Sequence, residues 1–111
     1  MNKYILYVIT LIFLSSMPLS GAVYKGQREF SKKCISCHSK PQEFISSLTI
    51  EQWEEQIGKD GEKLAKVHTS NEKAQESWKY FNSEKYKKKL KHLRDFLVEF
   101  AKDSGNVPTC N

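Results

Sequence analysis

Apolar residues fall in two regimes along the chain: a predominantly apolar run from Ile5 to Leu14, then positions that recur only at helical spacing. The last stretch carries the clearest pattern. Tyr86, Leu90, Leu93, Leu97 and Phe100 alternate at four and three residues, while Lys85, Lys87, Lys88, Lys89 and Lys91 decorate the other side. Ser83 is placed to cap that helix, Glu84 suits its first turn, and Gly105 is a stop signal. Ile50, Trp53 and Ile57 predict an earlier helix, with Thr49 and Gln52 spaced as a capping box and Gly58 at its end. Trp53 is expected to pack inward. A short helix is predicted from Asp60 or Gly61 through Val67, with Leu64 and Val67 inward and His68 closing it. A capping box at Thr69 and Glu72 predicts a third segment, carrying Ala74, Trp78 and Phe81. Upstream, Gly26, Phe30 and Cys34 fall four apart, on one helical face. No segment alternates with the period of a strand, and no repeat is present. The pattern is that of an all-α chain.

The amino end reads differently. Lys3 precedes the apolar run, which is too short to span a bilayer comfortably. Pro18 breaks it, and Ser20-Gly21-Ala22 offers a small-x-small cleavage site. A signal peptide over residues 1–22 and a mature domain over residues 23–111 are therefore expected, with no membrane span left after processing. An uncleaved anchor is the alternative, and Pro18 argues against it. No cysteine follows the apolar run, as a lipoprotein leader would require. One small mature domain buries a modest core, so a staple or cofactor is expected to stabilise it.

Charge adds little. The chain holds 18 basic and 13 acidic residues, and losing Lys3 with the leader lowers the net charge from +5 to +4. A mildly basic surface steers acidic partners rather than binding them tightly. Nothing resembles a nucleic-acid module: the lysines are scattered over predicted helices without a recognition motif.

The chemistry is concentrated in Cys34-Ile35-Ser36-Cys37-His38. C-x-x-C-H is the attachment signature of a c-type haem. Both thiols would become thioethers to the porphyrin, and His38 would lie beneath the iron as proximal ligand. A redox dithiol normally follows a strand in a βαβ unit, a pattern missing here. Half of a zinc site would need a second close pair of ligands. His68, His92 and Cys110 are too scattered to form one. Export agrees with haem, because covalent attachment follows translocation. A haem at the centre would be the staple, and the chain without it is expected to be largely unfolded.

Gly26-x-x-x-Phe30-x-x-x-Cys34-x-x-Cys37-His38, together with Leu93-x-x-Phe96-Leu97, resembles the first and last helices of class I cytochromes c. The resemblance implies a small cytochrome c-like helical domain around one covalent haem c, in the periplasm of a bacterium. It also implies that the glycine and aromatic contact the carboxy-terminal helix. A glycine there has its own physical reason, since it lets two backbones approach closely. Pro41 follows His38 more closely than the family's proline does, and is either a proximal packing residue or an ordinary loop proline in Ser39–Gln42.

The distal side departs from the family. Its usual ligand is methionine, and both methionines of this chain, Met1 and Met17, lie in the predicted leader. His68, in the middle region that usually supplies the distal ligand, is the leading candidate. The other possibilities are an open five-coordinate site, an Asn or Lys ligand, and His92. His92 lies off the apolar stripe of its helix and is expected to face solvent among lysines. Cys110 is the odd thiol, which in an oxidising compartment implies a disulfide dimer or a free reactive thiol.

The expected function is therefore a periplasmic carrier of single electrons between redox proteins, ones with acidic docking surfaces, at a potential below that of a His/Met protein. The alternative is a haem protein that binds or senses gaseous ligands through an open or weakly held distal site. An enzyme is not expected: one haem in so small a domain leaves little room for a substrate pocket, and no acid–base pair stands out.

Overall fold

Gly26 is where the first helix meets the last. The structure is a computed structural model and describes residues 21–108. The apolar run of the expected signal peptide, Met1, Met17 and Cys110 lie outside the described residues. Among the described residues six α-helices follow in order: α1 (Gly21–Lys33), α2 (Pro41–Ile45), α3 (Ile50–Ile57), α4 (Glu62–Thr69), α5 (Gln75–Phe81) and α6 (Glu84–Glu99). A 3-10 turn, Glu72–Ala74, precedes α5. The described residues contain no strand, and among them no helix is long and apolar enough to cross a membrane.

The long helices α1 and α6 form the main packing of the fold. A Cβ at Gly26 would collide with the backbone carbonyl of His92 and the Cβ of Phe96. Only a residue without a side chain lets the two backbones come this close. One turn on, the ring of Phe30 packs against that of Phe96 with centroids 5.5 Å apart. The predicted stripe of α6 is buried at Tyr86, Leu90, Leu93 and Leu97, and Phe96 joins it. Phe30, Ile45, Trp53 and Ile57 complete the core around it. Each such side chain contributes about 1.5–3 kcal/mol by burial.

The caps explain most boundaries. The Thr49 hydroxyl accepts from the Gln52 backbone N–H at 3.2 Å, and the Gln52 side chain accepts from the Thr49 N–H at 3.0 Å. Ser83 accepts from the Tyr86 N–H at 3.3 Å and starts α6. Between α3 and α4 the chain turns through Gly58 and Gly61, both at positive φ (65° and 69°). That turn is tied to α6, because Tyr86 donates its hydroxyl to the Gly61 carbonyl at 2.6 Å and Arg94 donates to the Gly58 carbonyl.

Several local expectations are corrected. Pro41 begins a helix rather than continuing a loop, as its fixed φ and missing N–H suit the first helical position. Thr69 is the last residue of α4, and the next cap is Asn71, whose side chain accepts from the Lys73 N–H at 3.0 Å. Val67 is 54% exposed rather than inward. α6 ends at Glu99 and caps on Phe100, well before Gly105, which instead occupies a later bend at φ 78°. His92 does not face solvent. It is half-buried, and its Nδ1 is enclosed without a hydrogen-bond partner. Gly26 explains this, because α1 lies so close to α6 there that it covers a residue off the stripe.

Beyond α6 the chain folds back over α2 and α3. Lys102 donates its N–H to the Leu48 carbonyl at 2.9 Å, and Asp103 accepts from the Ile50 N–H at 2.8 Å. The Gln42 side-chain amide donates to the Pro108 carbonyl at 2.8 Å, with Pro108 buried.

Candidate functional site

The chain leaves α1 through a tight turn. Cys34 extends the helix by donating its N–H to the Phe30 carbonyl at 2.8 Å. The N–H groups of Cys37 and His38 then both donate to the Cys34 carbonyl, at 3.3 and 2.9 Å. This reversal brings Cys34, Cys37 and His38 to the wall of one cavity of about 440 Å³, and His68 borders the same cavity. Its walls are largely apolar and aromatic, with Phe30, Phe44, Trp53, Leu64, Phe81 and Leu97 among them.

Each imidazole is held by an aromatic ring. His38 stacks on Phe44, with centroids 3.9 Å apart and planes 22° from parallel. Phe44 meets the edge of Trp53 at 5.5 Å, and Trp53 donates its indole N–H to the Ile45 carbonyl at 2.9 Å, tying α3 to α2. His68 stacks on Phe81, centroids 4.2 Å apart and planes 26° from parallel. Its Nδ1 lies 2.8 Å from the Leu64 carbonyl. A carbonyl only accepts, so Nδ1 carries the hydrogen and Nε2 of the neutral ring keeps its lone pair. The indole N–H of Trp78 donates to the His68 carbonyl at 2.7 Å, which fixes the backbone of the same residue. His68 thus sits in the last turn of α4, the helix it was expected to close.

The two imidazole centres are 6.3 Å apart, with planes 79° from parallel. Two imidazole nitrogens each about 2.0 Å from one metal ion put their ring centres roughly 6 Å apart. The separation of the two centres matches that spacing, and two thiols border the same apolar cavity. Among the described residues no group of three or more His, Cys, Asp or Glu side chains is placed to hold a bare ion, so a zinc site finds no further ligands there. A macrocycle would supply the remaining donors itself.

Electrostatics follow from enclosure. Burial pushes the Cys34 thiol up to about 12, helped by the charge of Glu29 and then by Cys37. Burial holds His38 below the usual imidazole range, and the neighbouring His68 adds to that. An imidazole kept neutral retains the lone pair a metal needs. Neither Cys34 nor Cys37 is in a disulfide.

Among the alternatives for the distal position, Asn71 and Lys73 also border the cavity, but the Asn71 side-chain oxygen is committed to the Lys73 N–H. His92 is not among the residues lining the cavity and packs where α6 crosses α1. Trp53 does line the cavity, as its inward position in α3 suggested. Trp78 and Phe81 belong to a predicted segment, where spacing gave them no part in a site, and Phe44 is a wall residue that periodicity does not single out. Phe44 lies in a helix of five residues, too short to show a stripe. No protein-family model, curated protein or solved structure matches the chain.

Proposed function

We propose that this protein is an exported, periplasmic c-type cytochrome that carries single electrons between redox proteins through one covalent haem. The observation that carries the reading is the meeting of Cys34, Cys37, His38 and His68 on one apolar cavity, with imidazole centres 6.3 Å apart. Cys34 and Cys37 would hold the haem as thioethers, with His38 as proximal and His68 as distal ligand. When bound, haem supplies one-electron chemistry at iron. The chain does the rest. Phe44 and Phe81 hold the planes of the two imidazoles, the Leu64 carbonyl holds the His68 hydrogen on Nδ1, and apolar walls keep water from the centre. Two histidines place the potential below that of a His/Met protein. A basic surface favours partners with acidic docking faces.

The test is the mass and the spectrum of the protein purified from the periplasm. The expected result is one added haem mass and low-spin bands in both oxidation states, with high-spin bands appearing in His68→Ala. A native chain without added haem mass rules the proposal out. The gas-binding alternative gains if carbon monoxide binds the reduced wild type fast and completely.

A further inference from the structure

Glu29 is the one charged side chain buried among the described residues, at 4% exposure. Its carboxylate accepts from the Tyr80 hydroxyl at 2.9 Å and makes no ion pair within 4 Å among those residues. The ammonium of Lys33 lies over the Tyr80 ring, 5.4 Å from its centroid. A carboxylate taken out of water against one neutral donor is costly, and an apolar pair of similar volume is often as stable or more so. Packing alone therefore does not account for the pair.

Its position does. Glu29 lies on the same helix as Cys34, which the Cys34–Phe30 hydrogen bond extends without a break. Five residues of helix rise about 7.5 Å. Tyr80, Lys33 and Cys34 all border the cavity that gathers the two histidines. The charge of Glu29 is already felt at the Cys34 sulfur, where it adds to burial in holding the thiol protonated.

We infer that the Glu29 carboxylate, anchored by Tyr80 behind Cys34, is a fixed negative charge that lowers the reduction potential of a haem attached at Cys34. The inference rests on the proposed function. Reduction moves one electron from a partner redox protein to the iron, so the centre becomes more negative by one charge. A carboxylate in a low-dielectric wall opposes that gain more strongly than a solvated one would. Glu29 acts on the iron through space, and Tyr80 is a positioning residue.

The experiment is a midpoint potential measured by spectroelectrochemistry on the holoprotein. Glu29→Gln is expected to raise the potential, shifting the reduction equilibrium at least about threefold toward the ferrous form. Glu29→Asp, which keeps the charge, is expected to stay near wild type, as is Glu51→Gln at an exposed position of α3. Should glutamine not be accommodated, Glu29→Leu with Tyr80→Phe removes charge and hydroxyl together and is expected to raise the potential likewise. Potentials unmoved in the charge-removing variants, with haem mass and low-spin bands intact, overturn this inference alone. Absence of haem from the native protein overturns it together with the reading beneath it.

Discussion

Trp78 donates its indole N–H to the backbone carbonyl of His68 at 2.7 Å, while the Leu64 carbonyl holds the ring of the same histidine from the other end. His68 is thereby fixed in both backbone and ring. A neutral hydrogen bond of this kind is worth about 1 kcal/mol, or roughly fivefold in an equilibrium. In the haem-loaded protein proposed above, Trp78→Phe is expected to leave the iron low-spin but to speed carbon monoxide binding to the reduced protein about fivefold. Stopped-flow mixing measures it. His68→Ala is expected to bind without that barrier, and equal rates in wild type and His68→Ala would exclude His68 as the ligand.

The crossing at Gly26 sets a steric prediction. A methyl group there meets the His92 carbonyl and the Phe96 Cβ, both on a rigid helix. Gly26→Ala should destabilise the holoprotein by about 1–3 kcal/mol, the usual cost of overpacking. Denaturant unfolding followed by far-UV circular dichroism checks it. An unchanged midpoint would mean that α1 and α6 do not approach as closely in solution.

This crossing was legible through the resemblance, which implied that Gly26 and Phe30 meet the last helix, and the missing side chain supplied its physical reason. The caps Thr49 and Ser83 were legible because capping is local chemistry. The cradle of the two histidines was not. Phe44 reaches His38 from a five-residue helix, and Pro41 suggested a loop there when it in fact begins that helix. The Thr69–Glu72 spacing imitated a capping box, but Asn71 lies closer to the turn and takes the backbone donor. His92 turned inward for a reason written on another helix, the missing side chain at Gly26.

Alkaline pH offers another check. Burial, and then the hydrogen bond to Glu29, raise the Tyr80 hydroxyl far above its ordinary value, while burial and then Cys34 push Tyr86 up to about 12. Both phenols ionise near 10 when the chain is unfolded, so above that pH the folded state holds more protons than the unfolded one. Their contribution is present below pH 10 and is lost as pH rises past it. Stability measured in urea at about pH 9 and about pH 11 should therefore fall. In Tyr80→Phe the fall should be shallower, although that variant starts about 1–3 kcal/mol lower because Glu29 loses its donor. Equal slopes would show that Tyr80 is solvated.

The cavity predicts dependence of the fold on its contents. Phe44, Leu64 and Phe81 line it without being fully buried, and each forgoes part of the roughly 1.5–3 kcal/mol that full burial of such a side chain contributes, in a domain whose whole stability is about 5–15 kcal/mol. Chain produced without haem is expected to show little cooperative unfolding and poorly dispersed amide resonances. A cooperative thermal transition in such material would mean that the helices pack without help.

The dependence of α1 on α6 also orders events in time. A polypeptide that emerges amino end first presents Cys34 and Cys37 long before the helix that covers Gly26 and Phe30 has been delivered. Until that last helix docks, Leu93 and Leu97 are missing from the cavity wall beside Cys34, and covalent attachment at the two thiols, as proposed above, would act on an open, reachable peptide. Docking of α6 would then close over a site already loaded.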